Sequence, residues 1–302
     1  MNIYDLLSSL LPIYAIFLLG IILRRAGVMK PQEATVFLKL VFYVCLPALI
    51  AFSISEMQLS RKLLFLPIIP IIIVFLTFVL SLGACQWLKL PPRTRGTFFV
   101  GTMVMNIGFI YPIAQGMYGI EGVSHVAIYD IGHGFMAFSV AYFLACWYGG
   151  QRGNIKEIIK NVVKSPPLWA IMISIALNLF NIPPAFPVKK TLELVGNGAT
   201  PLIMLSMGIF FSPKLERVTA LFPAIFIRMI AGSLLGFLFT TVFHLEGDMR
   251  TITIICSSSP AGHSTLTFSA LKNLDIEFAA SLVPLSVLFG ISYITGLLYV
   301  LQ

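Results

Sequence analysis

The stretch NIGFIYPIAQGMYG, residues 106–119, lies in one of the most apolar parts of the chain, yet it carries residues that interrupt helices. It holds an Asn, a Gln, a Pro and three Gly residues, and it follows the uncharged run TFFVGTMVM, residues 97–105. In a soluble protein this mixture predicts a loop. At membrane depth, unpaired backbone is tolerated only where protein or a wet cavity satisfies it. The stretch therefore predicts a broken helix with a functional reason for the break.

Composition places the chain among membrane proteins. Of its 302 residues 58% are hydrophobic and 11% are charged, and the mean hydropathy is +0.94. A soluble domain has about 25% charged residues, so this chain could not cover a water-exposed surface. Apolar runs of about 20 residues predict transmembrane helices. We predict ten of them, over residues 6–23, 36–54, 63–87, 96–118, 125–149, 166–181, 190–211, 218–243, 251–271 and 277–301.

Basic residues are concentrated in every second loop, which predicts the orientation. By the positive-inside rule the loops after the odd-numbered helices are cytoplasmic and both termini lie outside. The cytoplasmic set is Arg24, Arg25, Lys30, Lys89, Arg93, Arg95, Arg152, Lys156, Lys160, Lys164, Lys214, Arg217 and Lys272. The outer set is Arg61, Lys62, Lys189, Lys190 and Arg250, whereas Lys39 and Arg228 lie inside apolar segments. The net charge of +8 thus sets topology and does not indicate nucleic-acid binding.

The two halves of the chain share their helix breakers, which predicts an internal repeat. LVFYVCLPALIAF (40–52) and LVGNGATPLIMLS (194–206) both begin Leu-Val and place a proline at the same position, Pro47 and Pro201, an offset of 154 residues. At the same offset, the first break falls in register with SSSPAGHSTLTF, residues 257–268. An odd number of helices in each half gives the halves opposite orientations. We predict repeats over 1–149 and 165–302, joined by a basic linker over 150–164, with hinges at the two prolines.

Motifs for catalysis or metal binding are absent from the sequence. It has no HExxH, GxSxG or P-loop pattern, and its cysteines stand in apolar segments without CxxC spacing. They are Cys45, Cys85, Cys146 and Cys256. We therefore predict buried thiols, no metal site, no cofactor and no enzymatic activity.

Three motifs resemble the auxin efflux carrier family in its compact prokaryotic form. The opening stretch resembles that family's fourth helix through Asn106, Gly108, Pro112 and the GMYG of residues 116–119. PAG, residues 260–262, resembles its ninth helix, and CLPALI, residues 45–50, resembles its second. The resemblance covers the whole chain. It departs at Thr265, where plant members have a second proline.

The resemblance implies both a fold and a substrate class. The fold would be similar to that of the bile-acid sodium symporters, with broken helices 4 and 9 crossing at the substrate site. Helices 1, 2, 6 and 7 would form a scaffold against which the other helices move. The substrate would be an organic anion, because plant members export auxin and bacterial members are associated with malate, malonate and similar acids.

Corresponding proline and glycine breaks in the two halves predict the midplane substrate site of a transporter. The expected substrate-binding residues are Asn106, Gly108, Pro112, Gln115, Pro260, Gly262, His263 and Ser264. Ser258 and Ser259 are expected to face the same cavity. Simpler interpretations stay open: Asn106 could serve only to cap a half-helix, His263 could be a packing residue, and the prolines could only shape helix packing.

Asp130 and His133 form the second candidate site. They are three residues apart within an apolar segment, so they share one helix face and can touch. A charged Asp in a membrane costs at least about 2.5–3.5 kcal/mol, so it should be paired, wet or protonated. The pair could carry a coupling proton, or it could only lock the fifth helix to a neighbour. A coupling sodium ion, or none, is the alternative.

The sequence as a whole predicts an all-α integral membrane protein that moves small organic anions, such as malate or malonate, by alternating access across the cytoplasmic membrane. Its expected partners are that anion and the lipid bilayer. A passive anion channel would need a continuous polar pore or a ring of charge, and a non-transporting sensor would be expected to carry a signalling domain. Neither feature is found in residues 1–302. Substrate identity, the direction of transport, the coupling ion and a homodimeric state are left open.

Overall fold

The computed structural model describes residues 3–57, 60–150, 165–211 and 217–301. These ranges are helical and contain no β-strand, apart from an isolated antiparallel bridge between Met105 and Ala261. The predicted basic linker 150–164 lies, except for Gly150, outside the described residues. The α-helices run over Ile3–Arg25, Pro31–Leu40, Leu46–Glu56, Ile68–Leu88, Pro92–Met103, Ile107–Met136, Tyr142–Tyr148, Pro166–Leu179, Phe186–Gly196, Ala199–Phe210, Val218–Ile225, Gly232–Val242, Gly247–Ser257, Ser264–Leu271 and Ile276–Leu301.

The prediction of a multi-pass membrane protein is confirmed. Seven stretches among the described residues are long and apolar enough to cross a membrane: Ser8–Arg25, Pro31–Glu56, Arg61–Leu88, Ile107–Tyr148, Phe186–Phe210, Val218–Val242 and Ile276–Leu301. Large apolar side chains such as Trp87, Phe180 and Phe222 are exposed on the outer faces. A soluble monomer rarely exposes so much contiguous apolar surface, whereas lipid solvates it.

Several predicted helices are irregular in ways that the sequence only partly anticipated. The segment predicted at 96–118 is divided between Pro92–Met103 and Ile107–Met136, and the one predicted at 251–271 between Gly247–Ser257 and Ser264–Leu271. The helix Ile107–Met136 runs on past residue 118 into the next predicted segment, but Gly119 interrupts it with φ 59° and ψ −142°. Glycine tolerates this conformation because it has no Cβ.

The predicted hinge prolines each follow an irregular turn. Pro47 stands in the first turn of Leu46–Glu56, directly after the π-helical turn Val41–Cys45. A proline donates no backbone hydrogen bond and crowds the preceding turn, so a widened turn before it is expected. Pro201 lies at the start of Ala199–Phe210, after the turn at residues 197–198.

The two breaks meet in the interior of the molecule, and we call this meeting point the crossing. Residues 104–106 and 258–263 leave the helical conformation and run antiparallel to each other. The Asn106 N–H donates to the Pro260 carbonyl at 2.9 Å, and the Gly262 N–H donates to the Val104 carbonyl at 2.9 Å. The two segments that share helix breakers in the sequence are therefore the two segments that pair in the fold.

Gly262 is required for this close approach. A Cβ atom at this position would lie 2.6 Å from the Met105 carbonyl oxygen, which is backbone and cannot rotate away. Gly108 and Pro112, which the sequence placed in the break, lie instead inside the helix that begins at Ile107. The physical reason is that Pro112 needs only the Gly108 carbonyl to give up its helical bond, so the helix continues through it.

Candidate functional site

A cavity of about 470 Å³ lies against the crossing, and we call it the crossing cavity. Its lining contains six of the predicted site residues, which are Asn106, Gly108, Asp130, His133, His263 and Ser264. The walls are apolar and come from several helices: Leu38, Val41, Phe42, Leu46, Ile131, Phe135, Phe138, Leu168, Ile171, Ile203 and Met207. Among the described residues that line it there is no Lys or Arg, and Asp130 is the one acid.

Asn106 caps a helix, lines the crossing cavity and keeps one buried donor without a partner among the described residues. Its Oδ1 accepts a hydrogen bond from the Phe109 N–H at 3.2 Å, as an N-cap side chain does. That bond assigns Oδ1 to the helix and leaves Nδ2 as the donor of the amide. Nδ2 is buried and has no hydrogen-bond partner among the described residues. A buried polar group without a partner is costly, so the position suits a ligand that accepts hydrogen bonds.

Two helix N-termini border the same cavity. One half-helix begins at Ile107 and another at Ser264, and both residues line the crossing cavity. The first N–H groups of a helix have no acceptor within the helix, and each N-terminus carries about half a positive elementary charge. Together they favour an anion in a cavity whose described lining has no Lys or Arg.

Asp130 and His133 bind each other and also the crossing. His133 Nδ1 lies 2.7 Å from Asp130 Oδ1, and the Met105 N–H donates to His133 Nε2 at 2.9 Å. Because Nε2 accepts a hydrogen bond, it carries no proton, so the ring is neutral and its proton on Nδ1 is donated to Asp130. Asp130 is 30% exposed at its side chain and His133 8%, so the carboxylate is the more accessible group.

His263 and Ser264 lie at the second break and line the crossing cavity. The His263 ring packs against Phe210 with 6.0 Å between ring centroids. Ser258 and Ser259, expected in the same cavity, are fully buried and do not line it. They occupy the tightly packed break itself, where Ser258 Oγ donates to the Ile254 carbonyl at 2.6 Å.

The remaining predicted residues are placed outside the cavity lining. Pro112, Pro260 and Gly262 shape the backbone of the two broken helices without lining the cavity. Gln115 Nε2 donates to Asn197 Oδ1 at 3.3 Å, which joins the first broken helix to the turn before Pro201.

Other residues that sequence reasoning missed form hydrogen bonds at or beside the two breaks. The Ala261 N–H donates to Ser286 Oγ at 3.1 Å, as the Met105 N–H does to His133. The hydroxyl groups of Tyr129 and Ser257 form a hydrogen bond, with 3.0 Å between their oxygen atoms. A serine inside an apolar helix carries no sequence signal for such a role, because most such serines bond to their own helix.

These features define a multi-pass helical membrane protein with a polar site at the meeting point of two broken helices. The sequence profile of the membrane transport protein family matches residues 5–152 and 151–298. The chain therefore belongs to this family, that of the auxin efflux carriers, and the resemblance drawn from its motifs is confirmed. By class, the chain is therefore a transmembrane transport protein.

Several relatives match almost end to end. An uncharacterized transporter of Methanocaldococcus jannaschii is 27% identical over 296 residues, which cover 94% of this chain and 95% of the relative. An uncharacterized transporter of Methanothermobacter thermautotrophicus is 26% identical over 290 residues, with 94% of each chain covered. The uncharacterized transporter YfdV of Escherichia coli K12 is 23% identical over 298 residues, with 93% of each covered.

Proposed function

We propose that the chain is a secondary transporter that carries small organic anions, such as the dicarboxylates malate and malonate, through the crossing cavity by alternating access. The observation that carries the proposal is the buried Asn106 Nδ2, which has no partner and stands beside two helix N-termini. An amide donor forms a charge-assisted hydrogen bond with a carboxylate. The apolar walls would enclose the carbon skeleton of the anion.

The proposed architecture is ten transmembrane segments in two inverted repeats. Seven apolar stretches among the described residues are long enough to span, and the helix Pro166–Leu179 is a shorter apolar one. Division at Gly119 would assign the residues before it to a broken fourth transmembrane segment and the residues after it to a fifth. The ninth transmembrane segment would be the second broken helix. The pairing of the two breaks across the crossing supports this arrangement.

The cavity walls fit a division into scaffold and moving domain. Leu38, Leu168 and Met207 come from helices of the proposed scaffold, whereas Asn106, Asp130 and His263 come from the moving part. Leu38, in the apolar stretch Pro31–Glu56, and Leu168, in the helix Pro166–Leu179, lie in the halves of these segments that are nearer to predicted cytoplasmic loops. We therefore assign this conformation to an inward-facing state in the cytoplasmic membrane, with both termini outside.

Asp130 is the proposed proton site. Its carboxylate faces the same cavity as the anion, and two like charges in a confined low-dielectric site repel strongly. Protonation of Asp130 removes that repulsion, so binding of the anion and of a proton would favour each other. His133 stays neutral in this scheme, because a proton on Nε2 would oppose the N–H of Met105.

Counterflow in proteoliposomes tests the proposal. Vesicles containing the purified protein are loaded with unlabelled malonate or malate, and radiolabelled anion is added outside. A carrier accumulates label transiently and saturably, because the site must exchange one molecule for another. Linear, non-saturating uptake without counterflow would indicate a channel instead. If a carboxylate in the screen binds to the purified protein but none is taken up by the vesicles, the protein would be a non-transporting sensor.

A further inference from the structure

Arg228 is buried completely and is bound to both broken helices. It lies in the π-helical turn Phe226–Ala231 and has an exposed fraction of 0%. Its Nη1 donates to the Thr102 carbonyl at 3.0 Å, and its Nη2 donates to the Ser257 carbonyl at 2.6 Å. Gly232 leaves the space that this needs, because a Cβ atom there would lie 2.9 Å from Nη2.

The two carbonyls belong to the C-terminal ends of the two half-helices. Thr102 is in the last turn of Pro92–Met103, and Ser257 ends Gly247–Ser257. A helix C-terminus carries about half a negative elementary charge, so the two ends together match the single positive charge of the guanidinium. Among the described residues, no carboxylate forms an ion pair with Arg228. Its counter-charge is therefore the backbone of the crossing.

Half-helix C-termini at such breaks are where transporters bind a coupling cation. We propose that Arg228 is a built-in cation of the crossing: it holds both half-helix ends and fills the position at which Na⁺ would otherwise bind. Substrate movement then needs no Na⁺ at this position. That last consequence rests on the proposed transport function, whereas the cation site itself does not. Arg228 does not line the crossing cavity, so it is a positioning residue and not a substrate ligand.

Rescue by guanidinium tests the cation site without any substrate. Arg228→Ala leaves the Thr102 and Ser257 carbonyls facing an empty space, and we expect the apparent Tm of the purified protein to fall by about 10 °C. Guanidinium chloride, at concentrations far below denaturing ones, should raise the Tm of this variant and should not raise that of the wild type. Failure of guanidinium to raise it would overturn the proposal.

Arg24→Ala is the matched control. Arg24 Nη1 also donates to helix-end carbonyls, those of Ile209, Phe210 and Phe211, but its side chain is only partly buried. Water can solvate these carbonyls when Arg24 is removed, so guanidinium should give no rescue. Equal rescue of both variants would mean a general effect of the salt and would overturn the assignment.

Arg228→Lys and Arg228→Met provide a second comparison in case Arg228→Ala does not fold. Lys keeps a cation at the crossing, whereas Met keeps only the apolar stem. We expect Lys to retain most of the wild-type Tm and Met to lose it, and equal losses would overturn the proposal.

Malonate counterflow by the wild type should be unchanged when N-methyl-D-glucamine replaces Na⁺. A requirement for Na⁺ in the wild type would overturn the sodium part, whereas absence of counterflow in both salts contradicts only the proposed function.

Discussion

Replacement of Asn106 by Asp separates the two roles that the structure gives this residue. Asn106 caps a helix through Oδ1, lines the cavity and has a buried Nδ2 without a partner among the described residues. Asp is as good an N-cap as Asn, so Asn106→Asp retains the cap while a carboxylate oxygen replaces the donor. Asn106→Ala removes both groups. The two variants should therefore rank in opposite orders for stability and for binding.

The magnitudes follow from the groups removed. Loss of a hydrogen bond to a charged group costs about 1.5–3 kcal/mol, so Asn106→Ala should weaken anion binding about 10- to 150-fold. Asn106→Asp adds repulsion of about 4 kcal/mol for charges 4 Å apart at an effective dielectric constant of 20, and it should weaken binding by a further factor of about 1,000. Loss of the cap destabilises Asn106→Ala by about 1 kcal/mol, or about 2–4 °C in Tm.

Thermal shift with malonate and counterflow in proteoliposomes measure both rankings. Asn181→Asp is the control, because Asn181 is exposed, stands outside the crossing cavity and has a φ of 53° that Asp tolerates. It should behave as wild type. Wild-type malonate affinity in Asn106→Asp would refute the assignment of Nδ2 to the substrate. Binding that follows Tm, with both retained in Asn106→Asp and both lowered in Asn106→Ala, would show that Asn106 acts only as a cap.

Three further changes test other parts of the account. Asp130→Asn should abolish accumulation driven by a pH gradient while counterflow persists, and an unchanged pH profile would make the pair with His133 structural. A His263→Cys variant without the four native cysteines should react with a small hydrophilic thiol reagent and be protected by malonate; no labelling in any state would place this face in lipid or in a dry core. Gly262→Ala should lower both Tm and binding because its Cβ would lie 2.6 Å from backbone, whereas Gly83→Ala, with nothing within 4 Å, should be neutral in both measurements.

The sequence was sufficient for the membrane class, for the family and for the two places where helices break. Pro260 and Asn106 could be aligned because helix breakers are rare signals in an apolar chain, and the structure joins them by a backbone hydrogen bond. The extent of each break was less predictable. Gly108 and Pro112 looked like a break but continue a helix, because Pro112 removes only the one hydrogen bond to the Gly108 carbonyl.

The partners of the crossing could not be predicted from local pattern. The bond from Met105 to His133 depends on how a neighbouring helix is rotated, which apolar periodicity does not determine when helices are apolar all round. Arg228 did carry a signal, because a charge inside an apolar segment indicates function by default. Its carbonyl partners, Thr102 and Ser257, lie 126 and 29 residues away along the chain, and only the fold brings them together.

The central claim is that the crossing cavity binds the transported anion at Asn106, and a structure of the protein determined with malonate bound tests it most directly. Density for malonate is expected in this cavity, with a carboxylate oxygen about 2.7–3.2 Å from Asn106 Nδ2. Malonate bound elsewhere, for example in the cavity lined by Asn178 and Asn181, with the crossing cavity empty, would contradict it.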